Sequence, residues 1–341
     1  MSFVNDIDSH KKKLKKASAS IGFMMIMFLI FIYVYDFALI LGVNAVYNGG
    51  FEFSKKYLAQ SIDFFYGISP LMVYVENAVI QIFSLITAIF LTGVVFKIKP
   101  MKLLSFKNNP ISLEENNEKK SGMYLKVFAM IFAINMATSF IMNLINLIFK
   151  STGVNIPDVD FSFSKNNIDT LIIMFLATVV AAPLIEEIIF RGILLKRLSP
   201  YGVWFATIVT SFLFALLHGN IMQGVGAFCI GIILSIVTIK SGSILPAIIL
   251  HAMNNFVPFL TSVLMNESEI IAGIFSYFML IVAGIGAFLI IIKKDNLKMN
   301  EPSTAMLSKS QAMLTFFTQP LVFIYVAYEI FNVVRMFFVV N

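Results

Sequence analysis

Two adjacent glutamates, Glu186 and Glu187, stand in the apolar run Pro183-Leu-Ile-Glu-Glu-Ile-Ile-Phe-Arg191. A charge at the centre of a membrane helix costs at least about 2.5 to 3.5 kcal/mol even on a lenient insertion scale, so an acid in such a run points to function. Residues four apart share a helix face. Glu187 and Arg191 are therefore expected to form an internal ion pair, which leaves Glu186 without an in-helix partner and assigns it the chemistry. Pro183, one turn upstream, is expected to kink the helix or loosen its backbone bonding.

Two further clusters accompany the acids. Phe214-Ala-Leu-Leu-His218 puts an aromatic ring and an imidazole on one face, and His251-Ala-Met-Asn-Asn255 does the same for an imidazole and a carboxamide. The chain has 3 histidines, and the remaining one, His10, lies in a basic tail. A lone histidine or asparagine in a membrane helix commonly acts as an interhelical hydrogen bonder. Taken together the clusters say more. Counting about 1.5 Å per residue from the cytoplasmic helix ends, Glu186 lies roughly 15 Å in, His218 roughly 22 Å and His251 roughly 12 Å. All three then reach the inner half of the bilayer. A carboxylate, two imidazoles and an amide around one cavity can activate a water and stabilise the oxyanion formed when it attacks an amide, which is peptide hydrolysis.

The elements that must position these residues follow from composition. The 341 residues are 59% hydrophobic and 13% charged, with a mean hydropathy of +0.88, values far too apolar for a soluble chain. The fold class is all-α, a polytopic transmembrane helical bundle. On the rule of about 20 apolar residues per span, helices are expected near 18–43, 71–96, 123–149, 169–195, 203–218, 223–239, 243–264 and 270–292. A ninth, from 313 to 340, carries Glu329 and Arg335 and has an interfacial helix as its rival. Three regions result: residues 1–122 with two spans, an outside loop and a cytoplasmic loop; a core at 123–295; and a linker with a hydrophobic helix at 296–341.

The charges orient the bundle. Lys11, Lys12, Lys13, Lys15 and Lys16 precede the first span, whose apolar core is too long for a signal peptide and lacks a small-x-small cleavage site, so an uncleaved anchor is expected. With that block cytoplasmic, the segments from Lys97 to Lys120, Lys196 and Arg197, Lys240, and Lys293, Lys294 and Lys298 fall on the same side. Outside loops hold only Lys55, Lys56, Lys150 and Lys165, as the positive-inside rule requires. The net charge of +6 is thus spent on membrane orientation, and nucleic acid is not an expected partner. The single cysteine, Cys229, excludes an intrachain disulfide and a Cys-rich metal cluster. Aromatic residues Phe51, Phe53, Tyr57, Phe64 and Phe65 are expected on the bilayer surface. Gly224, Gly226, Gly284 and Gly286 are expected at helix-packing positions.

The three motifs, Glu-Glu-x-x-x-Arg, Phe-x-x-x-His and His-x-x-x-Asn in that order on separate helices, resemble those of the CPBP family of intramembrane proteases, also called the type II CAAX prenyl endopeptidase or Abi family. The resemblance covers about 123–265, with the motifs confined to 186–255. It implies an all-helical core with a cavity open to the cytoplasmic side, in which Glu186, His218, His251 and Asn255 position a catalytic water and Glu187, Arg191 and Phe214 support them. Relatives cleave prenylated CAAX proteins or are linked to peptide maturation, bacteriocin self-immunity and control of membrane sensors. The implied partners are a protein or peptide substrate and the lipid bilayer, in a bacterial plasma membrane. The family is commonly labelled metalloprotease, yet no His-Glu-x-x-His pair is present. Glu186, His218 and His251 either bind zinc or act on water directly. Two rivals use the same residues: a non-catalytic immunity or sensor-regulating protein, and a proton-coupled transporter, although no inverted repeat or pair of broken helices supports the transporter.

Overall fold

In a bilayer the backbone must satisfy its own N–H and C=O groups, and helices are the local way to do so. The computed structural model describes residues 2–48, 70–99, 120–151, 168–292, 299, 301–302 and 305–339. Among them there is no strand. The helices are α1 (Ser2–Asn48), α2 (Pro70–Phe96), α3 (Lys120–Ser151), α4 (Ile168–Tyr201), α5 (Val203–Leu217), α6 (Ile221–Ser241), α7 (Leu245–Glu267), α8 (Glu269–Ile292), α9 (Lys309–Phe317) and α10 (Pro320–Val339). The aromatic piece from Phe51 to Phe65 lies outside the described residues, as does the stretch from Glu114 to Lys119.

Among the described residues, 7 helices are long and apolar enough to cross a membrane, α1 to α4 and α6 to α8. The protein is an integral, multi-pass membrane protein. Two expectations change. The stretch at 203–218 is a helix, but its 15 residues rise only about 22 Å, short of the roughly 30 Å hydrocarbon core. Gly219, at φ 66°, turns the chain away in a conformation that favours glycine. Instead of spanning alone, α5 is a core helix with Val203, Phe205, Ala206, Val209 and Leu213 buried. The stretch at 313–340 is not one straight helix: α9 and α10 meet at 80°, where Pro320 begins the second helix, and the pair makes an eighth span only if it crosses as a broken one.

The first helix also differs in length from its expected span. Its 47 residues rise about 70 Å, so the lysine block continues the same helix past the apolar part. Leu14, Ala17, Ile21, Met24 and Phe28 recur at three- and four-residue spacing and are all buried, the stripe of an amphipathic packing face. Leu14, Ile21, Met24 and Phe28 join residues of α2, α4, α5, α9 and α10 in one apolar cluster, while α3, α6, α7 and α8 form a second. The α6 helix belongs to both. Chain segments from 1–122 and 296–341 therefore share a core with the central helices.

Close approaches bring the backbone of one helix against the backbone or a side chain of its neighbour. A Cβ on Gly286 of α8 would overlap the backbone of Ala129 in α3, and one on Gly231 of α6 would stand 3.0 Å from the Ser211 side chain of α5. Gly226 faces Asn135 and Thr138. Gly284 meets nothing within 4 Å, so the packing role expected of it is not seen. The start of α5 is held from a distant part of the chain: Glu301 Oε2 accepts the Val203 N–H at 2.6 Å, placing a carboxylate on a helix N-terminus where backbone donors have no partners.

Candidate active site

Within α4 the helix widens twice. Phe175–Ala181 and Ile188–Leu195 are π-helical, and the α-helical turn between them, Ala182–Glu187, carries both glutamates. Such insertions are rare and gather at functional sites. Pro183 explains the first. At that point the bonding runs five residues back, with Ala182 N–H on Ala177 O, so the next donor would be residue 183 bonding Thr178 O. Proline has no N–H. The orphaned Thr178 carbonyl accepts instead from Asn255 Nδ2 at 3.0 Å, which docks α7 onto α4.

The second glutamate is the centre of the buried polar network. Glu187 and Arg191 are 0% and 1% exposed, and Arg191 Nη1 donates to Glu187 Oε1 at 2.8 Å. Arg191 Nη2 donates to Gly231 O at 3.0 Å, and its guanidinium lies 4.7 Å from the centroid of the Phe214 ring. A fork of donors with a flat cationic face is what arginine offers and lysine does not. The same Glu187 Oε1 is 2.9 Å from His251 Nδ1. A carboxylate only accepts, so Nδ1 carries the proton, and Nε2 is an acceptor when the ring is neutral. That nitrogen lies 3.8 Å from Glu186 Oε2, a buried oxygen without a hydrogen-bond partner among the described residues.

Phe214 ties the remaining histidine to this network. Its ring makes edge contacts with His218 at 4.9 Å, His251 at 5.6 Å and Phe190 at 5.2 Å. His218 follows the last turn of α5, and its Nδ1 is 2.9 Å from Phe214 O, so here too the proton sits on Nδ1 and Nε2 accepts when the ring is neutral. Asn220 then starts α6, accepting the Gln223 N–H at 2.8 Å and donating to His218 O at 2.9 Å. The turn carrying His218 is thus held from both sides.

A cavity of about 330 Å³ opens beside the site, lined by His218, Gln223, Asn255 and Thr178 together with Asn77 and Gln81 of α2. Glu186 and His251 are not among its lining side chains. All four were expected around one cavity; the structure puts one imidazole and the amide on its wall and turns the other imidazole inward, because Glu187 holds it there. The side chain of Glu186 stays 18% exposed.

Residues 168–257 match the family described as type II CAAX prenyl endopeptidase, Rce1-like. The Rce1-like segment runs from the start of α4 to the middle of α7 and contains all three motifs, which supports the CPBP assignment of the motif-bearing core. An uncharacterized 24.3 kDa protein of Escherichia coli is 33% identical over 95 residues, 26% of this chain and 44% of that protein. The chain therefore spans less than half the length of that relative. No solved structure matches.

Outside the Rce1-like segment lie polar residues that the motif pattern does not reach. Asn135 of α3 donates to Asn254 Oδ1 at 3.1 Å, linking α3 to the motif helix, and Asn77 and Gln81 bring α2 to the cavity. Their signal in the sequence is the presence of carboxamides inside apolar spans. The zinc expectation fares differently. Among the described residues no three His, Cys, Asp or Glu side chains gather closely enough to hold a metal ion. Glu186, His218 and His251 as placed are not such a group.

Proposed function

We propose that the protein is an intramembrane endopeptidase in which Glu186 is the general base. The observation that carries this is the pair of acceptors, Glu186 Oε2 and His251 Nε2, 3.8 Å apart and beside a cavity of about 330 Å³. Two acceptors at that separation suit one water, which donates a hydrogen to each and turns its lone pairs away from both. The fixed Nδ1–H of His251 on Glu187 keeps the second acceptor aimed.

Glu186 takes a proton from this water as its oxygen bonds to the carbonyl carbon of a peptide held in the cavity. Asn255 uses one Nδ2–H on Thr178 O, so its other Nδ2–H is the donor for the developing oxyanion, joined by His218 Nε2–H when that ring is protonated. Collapse breaks the C–N bond, and Glu186 returns its proton to the leaving amine. Water ends as the new carboxyl and amine termini. The substrate class is a membrane-associated protein or peptide, either a CAAX-like C-terminus or a peptide precursor.

The test compares peptide termini in membranes of cells making the wild-type protein or Glu186→Gln at equal abundance. Termini that disappear with Glu186→Gln are expected; an identical set in both would sink the assignment.

A further inference from the structure

The cavity is not built by the Rce1-like segment alone. Asn77, Ala78 and Gln81 of α2 line it with residues of α4 to α7, although α2 lies outside the matched 168–257. Residues 77, 78 and 81 fall on one face of the helix, and α2 is held firmly: Leu85, Ala88 and Ile89 are in the apolar core, and Thr87 and Tyr35 of α1 share a hydrogen bond at 2.7 Å. Gln81 is partly buried and is found in no hydrogen bond with another described residue. On the cavity wall its carboxamide is available to a group that enters the cavity.

A substrate supplies one. A peptide bond can be attacked only where the segment is unwound, and an unwound segment inside the membrane has backbone N–H and C=O groups that the protein must satisfy. A glutamine side chain has both an acceptor and donors and can pair with an N–H and a C=O of an extended main chain. We infer that Gln81 binds the main chain of the unwound substrate beside the scissile bond, making α2 a substrate-positioning wall of the site. This rests on the endopeptidase reading above.

The experiment uses the full-length protein in liposomes and, as probe, a fluorogenic peptide spanning a cleavage point found by the Glu186→Gln comparison. Losing one such hydrogen bond is expected to raise KM about five- to tenfold in Gln81→Leu, with kcat within about twofold of wild type. Phe83→Leu, on the exposed face of α2, should change neither. An unchanged KM in Gln81→Leu, with Glu186→Gln still inactive, overturns the role of Gln81 and leaves the protease reading standing. Absence of any Glu186-dependent cleavage point overturns both. A second measurement does not require the leucine variant to fold: Gln81→Cys in a Cys229→Ala background should react with a water-soluble maleimide, and the same peptide should slow that reaction at least about threefold. Labelling that the peptide does not slow counts against the inference.

Discussion

Glu186 and Glu187 are neighbours in the chain and opposites in the structure. Glu187 is 0% exposed and shares one oxygen between Arg191 and His251. Glu186 keeps 18% exposure of its side chain; its buried Oε2, like Oε2 of Glu187, has no hydrogen bond among the described residues, but its other oxygen, unlike Oε1 of Glu187, is tied to no cation there. Charge, chemistry and depth are nearly the same for both, so the difference comes from what the surrounding helices present. In the function proposed, one carboxylate holds the site together and the other reacts. Ion pairs buried this fully rarely add net stability over an apolar packing, but breaking one strands a charge.

Glu186→Gln tests the reactive side and should show the largest effect: cleavage falls about 10²- to 10⁴-fold, the usual worth of a general base, while the thermal midpoint in detergent stays near wild type. A variant that loses its fold along with its activity would erase the contrast between the two acids. On the structural side, Arg191→Ala strands Glu187 and should destabilise by about 3 to 5 kcal/mol, read as poor accumulation and a lowered midpoint. If Arg191→Ala melts like wild type, Glu187 is not held in the way its contacts imply. A smaller loss, about 1 to 3 kcal/mol, is expected for Asn255→Leu, which leaves the Thr178 carbonyl unpartnered; because Asn255 also faces the cavity, its activity should fall further than its stability explains. The smallest effect is reserved for chelation. With the donors arranged as they are, treatment of the reconstituted protein with a strong chelator should leave cleavage unchanged, and loss that zinc restores would show that His218 joins Glu186 and His251 after all.

The pairing of Glu187 with Arg191 was legible because it is local: a spacing of four on a helix decides it. The same holds for the edge contact of Phe214 with His218 and for most span borders, which follow from hydropathy. Three things were not legible. Spacing cannot say that His251, 64 residues away, bonds Glu187 rather than Glu186, because two adjacent side chains differ only in which neighbour each meets. Nor does Pro183 alone announce a π-helical register, although once that register is known the orphaned Thr178 carbonyl and its Asn255 partner follow from counting. The bounds of α5 were read to within a residue, but its place as a core helix and not a separate span was not, because hydropathy does not show what packs around it.

Composition and order along the chain determined that this is a multi-pass helical membrane protein with three polar motifs, and helical geometry alone determined which glutamate is paired with Arg191. Tertiary packing decided the rest: that α2, α9 and α10 share the core of the motif helices, that His251 is aimed by Glu187, and that Gln81 stands on the cavity wall. The physical reason is range. Hydropathy and helical phase act over one turn of a single segment, whereas the site is made by side chains from α2, α4, α5 and α7 whose meeting depends on how those helices pack.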